Sequence, residues 1–149
     1  MLHNNQFTSE KAMSTIAETA PVSEPARSLG RVLSGLVIAF MLFDGAIKLV
    51  PWPIVTETMD RIGYGSSETL ARSLGLITIV CTVLYAIPPT SIVGAILLTG
   101  YLGGAMASHV RIGTPLFSHM LFGFYLGLMV WGGLWLRDRS VRQLIPFRR

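Results

Sequence analysis

The chain has 149 residues, of which 51% are hydrophobic and only 13% charged, with mean hydropathy +0.56 and a net charge of +4. Soluble domains carry about 25% charged residues, so this chain lacks the wetted surface that a small soluble globule needs. Residues 73–110 hold no Asp, Glu, Lys or Arg, and neither do residues 112–136; uncharged stretches of that length read as membrane spans. A lone cysteine, Cys81, excludes an intrachain disulfide, a CxxC redox pair and a cysteine zinc site. No phosphate-binding glycine loop, dinucleotide fingerprint or HExxH motif occurs.

Residues 1–30 are polar, with Pro21 and Pro25, and carry too few bulky apolar groups to offset the entropy of ordering. They are expected to form a disordered tail, without the basic start and early apolar run of a signal peptide. An all-α transmembrane domain follows over residues 31–137. Its first span covers about Val32–Val50 and stops at Pro51-Trp52-Pro53, where the prolines break the helix and Trp52 suits the headgroup layer. Residues 51–69 read as a polar connection with Glu57, Asp60, Arg61 and a Gly63-Tyr64-Gly65 turn. The second span is about Leu70–Ile87, ended by Pro88-Pro89, the third about Ser91–Ser108 and the fourth about Pro115–Leu136. At about 1.5 Å per residue such spans match a hydrocarbon core of about 30 Å. The short Pro88-Pro89-Thr90 link allows only a tight antiparallel hairpin. The expected architecture is a four-helix up-and-down bundle, with residues 138–149 a basic tail.

Arg27, Arg31 and the arginines at 137, 139, 142, 148 and 149 fall on the side of both termini, whereas Arg61, Arg72 and Arg111 opposite are diluted by Glu57, Asp60 and Glu68. Basic residues favour the cytoplasm, so both termini are expected there, in a bacterial inner membrane. The arginine-rich end suits anionic lipid better than nucleic acid. Small residues four apart offer packing faces: Gly35 and Ala39; Gly100, Gly104 and Ser108; Gly123 and Gly127. The third span, with three of them on one face, is the strongest candidate for close packing.

Ionisable groups inside spans are costly unless paired or wetted. Asp44 and Lys48 stand one helical turn apart and can pair on a shared face. His109 and Arg111 end the third span and His119 opens the fourth. With up-and-down connectivity these five residues, together with Glu68 and Arg72, gather in the outer half of the bundle. Two readings stay open. One is an outward polar pocket of Asp44, Lys48, His109, Arg111 and His119, able to hold an anionic or quinone-like ligand or to relay protons through histidine. The other is a satisfied network that fixes helix register, with Lys48 and Arg111 snorkelling. Two histidines without clustered ligands make a poor metal site, so no metal is expected. Tyr101 and Tyr125 read as packing aromatics and Cys81 as an inert buried thiol.

The run from Leu98 through Gly100-Tyr101 to His109-Val110-Arg111, followed by Pro115-Leu-Phe-Ser-His119, resembles the DoxX-like family of small bacterial membrane proteins. So do Phe43-Asp44-Gly45 with Lys48, and Trp131-Gly-Gly-Leu-Trp-Leu-Arg137 with Arg142 and Pro146. The resemblance extends from about Leu33 to Phe147. It implies a four-helix membrane protein acting as a subunit or accessory of a quinone-linked redox system. It implies another membrane or periplasmic redox subunit as partner; the bilayer is expected from the composition, and a homo-oligomer stays open. It supplies no catalytic residues. A small proton-coupled transporter, with Asp44 as its carboxylate, and a structural membrane protein without a ligand are the rival expectations.

Overall fold

A computed structural model describes residues 23–50, 52–115 and 121–144. Its elements are α1 (Glu24–Leu49), α2 (Pro53–Arg61), α3 (Glu68–Ala86), a 3-10 turn (Pro88–Thr90), α4 (Ser91–Arg111), α5 (Phe122–Arg137) and α6 (Arg139–Leu144). The described residues contain no strand. Among the described residues, three helical stretches are long and apolar enough to cross a membrane: Glu24–Leu49, Glu68–Ala86 and Pro88–Arg111. This is an all-helical membrane protein, and hydrophobic side chains such as Leu36, Phe43, Leu76 and Ile96 accordingly cover its outside. α5 is shorter; residues 116–120, which the sequence reading assigned to the fourth span, lie outside the described residues.

α1 begins at Glu24 rather than at Val32. Pro25 near its start has no amide to leave unpaired, and Glu24 suits the positive end of the helix, so the polar lead-in extends the helix. The expected tail thus loses residues 24–30 to α1, and residues 1–22 lie outside the described set. α3 is capped by the Ser67 hydroxyl, which accepts from the Leu70 amide at 3.3 Å. The hydroxyls of Thr78, Thr82 and Thr99 each donate to the carbonyl four residues back, at 2.7–2.8 Å, which satisfies their protons within the helix, and Thr99 also accepts from Trp131 Nε1 at 2.9 Å.

α1 packs on α3 and α5, and α4 packs on the same two, so α1 and α4 stand opposite each other. Glycines set the closest approaches. A Cβ on Gly45 would lie 3.0 Å from the Gly75 carbonyl oxygen, and one on Gly75 would lie 2.7 Å from that of Gly45. Gly133 presses on Ser34 and Gly30, and Gly94 presses against the backbone of Tyr85 just beyond the proline hairpin. The end of α1 therefore meets the start of α3, and its start meets the end of α5. Apolar side chains from all four helices interlock between them, with Val37, Leu98, Val130 and Leu134 fully buried.

The expected packing face of the third span is not one. A Cβ at Gly100 or Gly104 would meet none of the described residues within 4 Å, and the same holds for Gly35 and Gly127. Spacing by four marks one face of a helix but not what lies opposite it.

The polar connection between the first two spans is also more ordered than expected. Nine of its residues form α2, an amphipathic helix that buries Val55 and Met59 against Ala71 and leaves Glu57, Asp60 and Arg61 outside. The expected basic tail contains α6, whose Val141 is buried in the main core.

Candidate functional site

α1 and α4 finish, and α3 and α5 begin, around a cavity of about 510 Å³. Small-molecule pockets span about 300–1,000 Å³. α4 contributes Gly100, Tyr101, Gly104, Ser108 and His109 to its wall, and α1 contributes Phe40, Met41, Asp44, Ile47 and Lys48. Phe122, Gly123 and Leu126 of α5 and Leu74 of α3 complete the sides, while Ile54, Val55, Thr58, Met59 and Ile62 of the α2 region form a roof. The missing side chains of Gly100 and Gly104 are what keep the space open.

One polar cluster stands in this mostly apolar wall. The Lys48 ammonium is ion-paired and hydrogen-bonded to Asp44 Oδ2, as the four-residue spacing requires. It also donates to the Tyr101 hydroxyl at 3.0 Å, bridging α1 to α4. Lys48 Nζ lies 5.6 Å from the Tyr101 ring centroid. The hydroxyl stands between them, so the contact is a hydrogen bond off the ring edge rather than a cation over the ring face. An ammonium has three N–H donors and a phenol can accept and donate at once. With one donor on Asp44 and one on Tyr101, Lys48 keeps a third, and Tyr101, which accepts from Lys48, keeps its own proton to give. The cluster thus offers two donors and a carboxylate within an apolar chamber.

A second polar group closes the roof. Ser108 donates to the Gly104 carbonyl at 2.9 Å, so the Tyr64 hydroxyl, 2.6 Å away, donates to Ser108 Oγ. Gly63 and Gly65 adopt φ of +83° and +71°, a left-handed turn that glycine takes without strain and that carries the Tyr64 ring over the end of α4.

Of the five residues the sequence singled out, Asp44, Lys48 and His109 line the cavity. Thr114 Oγ1 donates to the His109 carbonyl at 3.2 Å and stands 3.3 Å from its ring Nδ1. Arg111 is not among the lining residues. Its guanidinium is exposed and donates at 2.8 Å to the carbonyl of Ile62, the residue that caps α2, while packing over Gly63. A long basic side chain at the end of a helix reaches the free carbonyl of a neighbouring helix end more readily than it turns into an apolar chamber. His119 lies outside the described residues. Among the described residues no group of three or more His, Cys, Asp or Glu could hold a metal ion.

Sequence reasoning missed Tyr101 and Tyr64 as polar members. Tyr101 follows Asp44 by 57 positions, and no local spacing links them. The available signal was chemical: a tyrosine beside Gly100 and Gly104 on one helix face, opposite the only lysine of the spans.

A sequence profile of the DoxX-like family matches residues 32–133. The chain belongs to the DoxX-like family. The DoxX-like match runs from α1 into α5 and takes in every described residue that lines the cavity, leaving out residues 1–31 and α6. No curated protein and no solved structure matches the chain.

Proposed function

We propose that this DoxX-like protein holds a lipophilic, quinone-class molecule in its cavity, as a subunit or accessory of an inner-membrane redox system. The observation that carries the reading is the convergence of the free donors of Lys48 and Tyr101 on an apolar chamber of about 510 Å³. A quinone needs that combination: apolar walls for its ring, and donors at a carbonyl oxygen that gains negative charge on reduction. Asp44 holds Lys48 in place and balances its charge, which keeps a lone ammonium from being stranded in the membrane. The arrangement in the bilayer is four spans, up and down. α5 packs on α1 and α4, and the uncharged run 112–136 is long enough to cross. The arginine-rich end faces the cytoplasm and the cavity faces outward.

The transporter reading fits less well. An exchanger carboxylate must be open to a cation, and here Asp44 already holds the Lys48 ammonium.

The test is quinone binding to purified protein in nanodiscs, read by quenching of the intrinsic tryptophans. Lys48→Met is expected to weaken binding about tenfold or more, which corresponds to about 1.4 kcal/mol. Tyr101→Phe is expected to weaken it several-fold, since a hydrogen bond contributes about 0.5–1.5 kcal/mol. Affinity unmoved in both variants would overturn the pocket reading.

A further inference from the structure

The cavity walls differ in how they are closed. Between α1 and α3 the backbones meet at Gly45 and Gly75. Between α4 and α5, Gly123 presses on the Leu102 carbonyl and Met106. The roof is tied to α4 by two long-range hydrogen bonds, Tyr64 to Ser108 and Arg111 to the Ile62 carbonyl. Between α1 and α5 the close glycine contact lies at the far end, where Gly133 abuts Ser34 and Gly30. At the cavity the seam is spanned by two rings, Phe40 of α1 and Phe122 of α5, edge to face with centroids 5.3 Å apart.

These rings line the cavity and also face outward. Phe40 keeps 39% of its surface exposed and Phe122 42%, whereas Met41, Leu102 and Leu126, which line the same cavity, keep 1%, 6% and 7%. Lining the cavity thus goes with burial at some positions and with exposure at others, such as Ile54 and Tyr64. Phe40 and Phe122 combine a place in the lining with this exposure and with the contact between their rings, which puts them at the rim of the chamber.

We infer that the Phe40–Phe122 pair is a gate through which the cavity is loaded sideways from the bilayer, so that its ligand is a tailed amphiphile whose chain lies out between α1 and α5. The inference rests on the proposed quinone-class reading and adds the route and the tail. Phe40 sits one helical turn before Asp44, about 6 Å deeper along α1. A head admitted there rises past one turn of helix to reach Lys48 and Tyr101 while its tail stays in hydrocarbon. Admission through the roof would instead draw the tail past Glu57, Asp60 and Arg61, which stand exposed around α2, and would break two hydrogen bonds. Parting the two rings breaks no hydrogen bond of Phe40 or Phe122.

The experiment measures association and dissociation of two probes by stopped-flow tryptophan quenching in nanodiscs: decylubiquinone, which has a tail, and dimethoxy-methylbenzoquinone, which has none. A gate residue moves both rate constants in the same direction, whereas a residue that only touches the ligand moves dissociation. Phe40→Leu is expected to raise both constants for decylubiquinone about three- to tenfold, the range given by loss of one aromatic pair. Phe40→Trp is expected to lower both, and the two variants keep a bulky apolar side chain so that the fold survives. The ratio of tailed to tailless association rates should shift with each. If dissociation alone changes, or if Arg111→Ala accelerates decylubiquinone and Phe40→Leu does not, the gate is overturned while the cavity reading stands. Binding of the tailless probe without the tailed one has the same meaning. If neither probe binds the unaltered protein, both readings fall.

Discussion

Tyr85 and Tyr101 occupy opposite ends of the same helix assembly, each hydrogen-bonded across to α1, and their surroundings diverge. Tyr85 is fully buried; its hydroxyl donates to the Val130 carbonyl at 2.9 Å and meets Ser34 Oγ at 3.0 Å. Arg137 lies over its ring, with the guanidinium carbon 5.2 Å from the centroid, and donates to its carbonyl at 3.3 Å. Arg142 then reaches back to the Trp135 and Leu136 carbonyls at 2.7 and 3.3 Å, satisfying the free end of α5. At this end the Tyr85 hydroxyl and the last carbonyls of α5 are paired, Arg137 Nε is buried without a hydrogen-bond partner among the described residues, and glycines bring the backbones together. At the other end Tyr101 accepts from Lys48 and retains a proton, while Gly100 and Gly104 look onto empty space. The same vocabulary of glycine, tyrosine and a basic residue builds a sealed end and a hollow one. The difference lies in whether a neighbouring helix fills the place that each glycine leaves.

The largest effect should come from adding one methyl group to each kind of glycine. A Cβ on Gly94 would collide with the backbone of Tyr85 and Leu84, which has no side-chain freedom to yield. Gly94→Ala should therefore cost about 3 kcal/mol or prevent folding. Gly100→Ala meets none of the described residues within 4 Å and replaces the weaker helix former by the stronger, so it should be neutral or stabilising by up to about 1 kcal/mol. Thermal unfolding in one detergent compares the two, and equal shifts would erase the distinction between the ends.

A smaller change sharpens the comparison. Tyr85→Phe removes one buried hydroxyl and leaves Ser34 without its partner, at a cost of about 1–3 kcal/mol. It should leave quinone affinity where it was, because Tyr85 is not among the residues that line the cavity. Tyr101→Phe should do the reverse, weakening the ligand more than the fold. Unfolding midpoints and binding curves of both variants, measured side by side, give a double dissociation or refute it.

The sequence announced the hollow end only in part. Membrane spans, the proline hairpin and the Asp44–Lys48 pair are local properties of length, backbone and four-residue spacing, and they were legible. Tyr101, Tyr64 and the Phe40–Phe122 pair join the site through contacts made 44 to 82 positions apart, which depend on how helices are rotated against one another. Helical spacing cannot report that rotation, which is also why the stripe of Gly100 and Gly104 reads as a packing face in the sequence and is a cavity wall in the structure. Amphipathic α2 was hidden by the charges of Glu57, Asp60 and Arg61, which mark its outer face and mask the apolar face of Val55 and Met59.

Arg111 gives the smallest and most discriminating prediction. The pocket expectation made it a ligand-holding charge, whereas its hydrogen bond to the Ile62 carbonyl makes it a tie between the end of α4 and the roof. The guanidinium is exposed, so water competes for the bond. Arg111→Ala should cost at most about 1 kcal/mol, within the usual net contribution of an intramolecular hydrogen bond. The two roles separate by where that cost falls. A charge that gripped the ligand would, when removed, weaken binding of the quinone head while amide exchange in α2 stayed constant. A tie that holds the roof would leave the head's contacts with Lys48 and Tyr101 in place and raise hydrogen–deuterium exchange across residues 53–65, because α2 packs on the rest of the molecule mainly through Val55 and Met59. The geometry favours the second outcome, and Arg111→Lys, which keeps a positive charge, should not restore protection, because an ammonium on a shorter arm lacks the planar fork that spans to the carbonyl.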